Sequence, residues 1–86
     1  MPAALRKYGF RFHFYGADAG EPPHIHAYGH GGQAKIWLDP VEKWDAIGLK
    51  QNDLNRAMKA VEEHQDELME AWNDFFKRIS GEKPAG

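Results

Sequence analysis

Apolar side chains change their spacing once along this chain, and that change limits the fold more than any motif does. Up to about residue 48 they fall on every second position: Phe10, Phe12 and Phe14, then Ile25 and Ala27, then Ala34, Ile36 and Leu38. Such alternation marks strands with one buried face. From about Lys50 onward, Leu54, Met58, Val61, Leu68, Trp72, Phe75 and Ile79 recur at steps of mostly three and four, the stripe of an amphipathic helix. Asn52 or Asp53 fits a helix cap, and Gly81 with Pro84 fits a stop. A chain of 86 residues has room for one core. Strands followed by helix therefore predict an α+β domain: a small antiparallel sheet of three or four strands with one long C-terminal helix on one face. The expected organisation is a single domain over residues 1–86, with strands over about 4–48, helix over about 51–79 and a flexible tail at 80–86.

One helix covers one face of a sheet, so the opposite parity of each strand predicts what the open face carries. That set is Arg11, His13 and Tyr15, then His24, His26 and Tyr28, then Lys35 and Trp37. It contains no acidic residue. Three of the five histidines fall within residues 24–30. Around them, GADAGEPP (16–23) reads as turn chemistry, and Gly29, Gly31 and Gly32 read as hairpin residues needing positive φ.

Composition removes several functions. There is no cysteine, so thiol nucleophiles, disulfides and thiolate zinc sites are excluded. The N-terminal MPAALRKYGF carries no apolar run of signal-peptide length, and no segment is long enough to span a membrane. The expected location is the cytoplasm, with no membrane partner. A formal net charge of -2 predicts no whole-surface attraction to nucleic acid, although a local basic patch remains compatible with it.

Three chemistries suit the open face. In the first, His24 and His26 act as acid and base on RNA, Arg11 and Lys35 hold phosphate, and Tyr28 and Trp37 position the base. No cofactor is required for it. In the second, the face is a non-catalytic module docking a partner protein, since Tyr, Trp and Arg are the residues interfaces favour. In the third it is a divalent-metal site for Zn or Ni. His-x-His on a strand puts two imidazoles, His24 and His26, on one side, with His13 as third ligand and His30 as a looser candidate. His64 and Glu67, one helical turn apart, form a further candidate pair; the default role of His64 is to flank the core edge, and that of Glu67 to belong to the solvated helix face.

The strand ending in Tyr15, the stretch PPHIHAYG at 22–29, and the helical pattern His64-x-x-Glu67-Leu68-x-x-x-Trp72 resemble the small bacterial proteins grouped as domain of unknown function 4160. The similarity runs over most of residues 4–76. It implies a short cytoplasmic protein often encoded beside a second small protein, in the manner of toxin–antitoxin pairs. The neighbouring gene's product is then the expected protein partner, and that habit together with the acid-free basic-aromatic face makes a toxin-like action on RNA the expected activity. The resemblance makes Pro22, Pro23, His24, His26, Tyr28, His64, Glu67 and Trp72 defining positions, and it carries over no catalytic role.

Overall fold

A computed structural model describes residues 3–79, with side chains described as far as Lys77. The expected tail at 80–86 and the side chain of Ile79, last of the helical stripe, lie outside the described residues. The elements run β1 (Leu5–Lys7), β2 (Phe10–His13), a 3-10 turn (Gly16–Asp18), β3 (His24–Gly29), β4 (Gly32–Leu38), β5 (Val41–Ile47), α1 (Gln51–Glu63) and α2 (Gln65–Ile79). The strands form one antiparallel meander in sequence order, β1-β2-β3-β4-β5.

Two expectations about the architecture are overturned: the sheet has five strands and there are two helices. The fifth strand arises because residues 4–15 are not one strand. Tyr8 and Gly9 both take positive φ, 54° and 82°, as a two-residue hairpin turn requires, and they fold Leu5–Lys7 back onto Phe10–His13. A positive φ at tyrosine is uncommon, so the turn has only Gly9 to announce it. The long helix is broken at His64, whose φ of -120° and ψ of 23° leave the helical basin. Its N–H is shared between the carbonyls of Ala60 and Val61, and its own carbonyl accepts from the Leu68 N–H. One interrupted residue barely shifts the apolar stripe, which is why spacing alone runs through it.

The parity reading places the core correctly. Phe10, Phe12, Phe14, Ile25, Ala27, Ala34, Ile36 and Leu38 are all buried, against Leu54, Ala57, Ala60, Val61, Leu68 and Trp72 of the helices. α1 packs on β4 and β5, while α2 packs on α1 and β4. The Gln65 amide donates to the Leu38 carbonyl at 2.7 Å, which fixes the start of α2 at the end of β4.

The opposite parity lines up across the open face in three rungs. Register gives Arg6, Arg11, Tyr28 and Gln33 in the first, His13, His26, Lys35 and Asp45 in the second, and His24, Trp37 and Glu42 in the third. A bulge in β5 supplies one extra residue, Trp44, opposite the Lys35/Ile36 step. Trp44 lies on the open face, stacked on Trp37 with centroids 4.3 Å apart and planes 9° apart. The glycine reading needs correction. Of Gly29, Gly31 and Gly32 only Gly31 has positive φ (80°), sharing the turn with His30 (52°). Gly29 and Gly32 serve close approach instead, since a Cβ would stand 2.4 Å from the Gly9 carbonyl oxygen and 2.5 Å from that of Ile47.

Candidate metal centre

β3 begins at His24, directly after Pro22 and Pro23, and the entry of the chain fixes the histidine's tautomer. His24 Nδ1 lies 3.0 Å from the Pro22 carbonyl oxygen, which can only accept, so Nδ1 carries the proton and donates it. Neutral His24 therefore presents a bare lone pair at Nε2. That atom is fully buried and has no hydrogen-bond partner among the described residues.

What Nε2 faces is a carboxylate. The 3-10 turn leaves the plane of the sheet after Tyr15 and swings Asp18 over the start of β3. Its Oδ2 stands 3.1 Å from His24 Nε2 and 2.8 Å from His26 Nε2. His26 makes a hydrogen bond to it. His24, at nearly the same distance, makes none. Glu21 Oε1 is a further carboxylate oxygen 3.7 Å from His24 Nε2. The donor atoms of Asp18, His24 and His26 all lie within 4.8 Å of one another.

Two species could relieve a lone pair buried against a carboxylate: a proton or a cation. A proton would make a buried ion pair, which needs well-directed hydrogen bonds to offset desolvation, and His24 has none at that nitrogen. A cation needs only convergence. A tetrahedral zinc with bonds of ~2.0–2.1 Å holds its donors ~3.4 Å apart. The 2.8 and 3.1 Å separations open to that value by small side-chain movements. The Nδ1–H donation to a backbone carbonyl is also the outer-shell bond that orients metal-ligating histidines.

Aromatic rings wall the cluster. The His24 ring lies 4.9 Å from Trp44, 5.7 Å from Trp37 and 5.5 Å from Trp72, and the His26 ring 4.8 Å from Tyr15. Trp72 belongs to α2, so the helical layer borders the histidines at this end. The expected division into a covered side and an open side is thus incomplete there.

The expectation of an acid-free face is overturned by Asp18, and also by Asp45 opposite Lys35. Alternation along strands has no power over Asp18, which arrives from a turn; its signal was the Asp-x-x-x-x-x-His-x-His spacing beside two prolines. His13 sits directly across from His26 but stacks with Tyr15 and meets Tyr28 edge-on, and the converging donors are those of Asp18, His24 and His26. Burial first, then the guanidiniums of Arg11 and Arg6, push the His13 pKa down. His30 is committed at the far end of β3, donating Nε2–H to the Tyr8 carbonyl with its ring against Phe10.

The remaining predicted residues are placed as follows. Arg11 is exposed opposite Tyr28, and Lys35 Nζ lies 4.6 Å over the Trp44 ring. The Tyr28 hydroxyl accepts from Tyr15; burial, and next that hydrogen bond, push its pKa up to about 12, so it stays a neutral phenol. His64 and Glu67 lie on the helical side. His64 Nδ1 bonds Glu67, and Lys7 Nζ donates to His64 Nε2 at 3.0 Å. Lys7 also pairs with Glu63 at 2.9 Å, and Glu63 accepts from the Tyr8 hydroxyl at 2.8 Å. This network clamps the first hairpin onto the α1–α2 junction.

A family model described as a domain of unknown function (DUF4160) matches residues 9–73, and the chain belongs to that family. The comparisons with curated proteins and with solved structures gave no match. No helix among the described residues is long and apolar enough to cross a membrane.

Proposed function

We propose that the chain is a divalent-metal protein whose centre is Asp18, His24 and His26. The observation that carries this reading is His24 Nε2: buried, the lone-pair nitrogen of the neutral ring by virtue of the Pro22 contact, without a hydrogen bond, and aimed at a carboxylate. Two imidazoles and one carboxylate suit zinc, nickel or another late first-row ion better than magnesium or calcium, which prefer oxygen ligands. Three protein ligands leave a coordination position for water or a substrate oxygen, and a metal there acts as a Lewis acid. Glu21, close but not hydrogen-bonded to the cluster, is placed to take the fourth position or to release it.

An action on RNA is compatible with this centre, but its division of labour changes. A metal-free acid–base pair needs both histidines to exchange protons with substrate, and His24 is wholly buried. The metal reading keeps the histidines as ligands and leaves Arg11 and Lys35 for phosphate. Pairing with a neighbouring gene's product rests on the family resemblance alone.

The test is the metal content of untagged protein purified without chelators. About one equivalent of zinc, nickel or a neighbouring transition ion per chain supports the reading. Metal-free protein that also takes up none of these ions on dialysis removes it.

A further inference from the structure

The first rung of the open face sets two arginines directly across from each other, Arg6 on β1 and Arg11 on β2. Like charges facing each other across an antiparallel pair destabilise it. Both side chains are exposed, and no acidic partner holds either among the described residues. Next in the rung is Tyr28, and Arg6, Arg11, Tyr28 and Gly29 line one open depression. A cationic pair kept against its own repulsion, with no acidic partner among the described residues, is arranged for an anion from outside.

Its position relative to the metal cluster defines which anion. Tyr28 is two residues from His26 along β3, so the guanidinium rung and the histidine rung are separated by ~6.6 Å. A further step of the same size reaches His24 and the Trp37–Trp44 stack. Three rungs thus offer cation, metal and aromatic ring in succession over ~13 Å. That is longer than one phosphate and suits a repeating oxyanion with planar groups between. Tyr15 and Trp44 flank the cluster on either side, 41% and 39% exposed, where a base could lie against them. The carboxylates of the open face lie at the other rungs, Asp18 and Asp45 at the level of His26 and Glu42 at the level of His24, so the Arg6–Arg11 rung is where its positive charge is concentrated.

We infer that Arg6 and Arg11 form a phosphate-anchoring subsite that holds a single strand of nucleic acid with its next phosphodiester at the Asp18–His24–His26 centre. This deepens the metal reading and rests on it for the second half. Guanidiniums fork onto phosphate oxygens, and Tyr28, a neutral phenol, adds a hydroxyl donor at the same level.

The experiment is anisotropy with a fluorescein-labelled octauridylate against zinc-loaded and metal-free protein, over a series of salt concentrations. Arg6→Gln and Arg11→Gln should each weaken binding about tenfold. Each should also flatten the dependence of log affinity on log salt by ~0.7, the value of one lost phosphate contact on a single strand. Both variants should bind zinc as the wild type does and melt no lower, since each removes a repulsion. The two readings separate cleanly. If the protein takes no metal but the arginine variants still lose strand affinity and salt slope, the anchoring subsite stands and the metal centre falls. Unchanged affinity and slope in the doubly substituted protein, or no binding of the strand by wild type at low salt, overturns the subsite.

Discussion

His24 Nε2 and Asp18 Oδ2 stand 3.1 Å apart without a hydrogen bond between them, and that relationship organises the whole site. In the neutral ring the one proton resides on Nδ1, which donates it to the Pro22 carbonyl. The chain thus spends its motif on orienting a lone pair. The two prolines set the entry to β3, His24 and His26 alternate onto one face, and a short turn brings the carboxylate to meet them.

Trp72 connects this arrangement to stability. Its ring is buried against Phe14, Phe76 and His24, joining α2 to the sheet at the start of β3. Trp72→Ala should cost about 3–5 kcal/mol in urea unfolding, the range for emptying a large aromatic site. Trp72→Phe should cost clearly less, because most of the volume stays. Equal losses in the two variants would show that the indole's size is not what the site uses.

The hairpin glycines divide by mechanism. Gly32→Ala should destabilise by about 1–3 kcal/mol, since its Cβ would stand 2.5 Å from a backbone oxygen that cannot swing away. Gly31→Asn should be nearly neutral: nothing lies within 4 Å of that Cβ, and asparagine tolerates the left-handed region. Thermal melting of both variants checks the order. Gly31→Asn as the more damaging change would contradict it.

Much of the sheet was legible because burial on one face leaves a record every second residue. Phe10 to Phe14 and Ala34 to Leu38 show it plainly. What escaped came from places where the backbone leaves its regular path. The Tyr8–Gly9 turn hides in an aromatic run, the break at His64 shifts the helical stripe too little to see, and the bulge in β5 puts Asp45 on the same face as Glu42, from which it is an odd number of residues away. Asp18 escaped for the same reason, arriving from a turn to which no period applies. That His24 and His26 share a face was readable; the carboxylate that meets them, in place of His13, was not.

The clamp at the helix junction gives a pH signature. The hydrogen bond from Lys7, then the one from Tyr8, depress the Glu63 pKa below its ordinary value of 4.5, and Glu63 in turn raises Lys7 above 10.5. A depressed carboxylate stabilises the fold above its unfolded pKa, and that contribution fades as pH falls through the folded value. A raised lysine stabilises below its unfolded pKa and fades as pH rises through the folded one. Wild type should therefore exceed Glu63→Gln in melting temperature between about pH 5 and 10, with the gap closing below pH 4. The groups are exposed, so the gap should shrink in high salt. A gap that persists unchanged at pH 3 would assign the effect to packing.

Calorimetric titration of zinc into the metal-free protein, for wild type and four single variants, tests the central claim most directly. Wild type should bind one zinc per chain. Asp18→Asn and His24→Gln should each weaken it about 100-fold or more, since loss of an outer-shell partner alone costs ~10–100-fold. His13→Gln and His64→Ala should leave stoichiometry and affinity unchanged, because the converging donors are those of Asp18, His24 and His26. Tight binding that survives Asp18→Asn but is lost in His13→Gln or His64→Ala would contradict the account, placing the metal among other histidines and leaving the orphaned lone pair of His24 without a purpose.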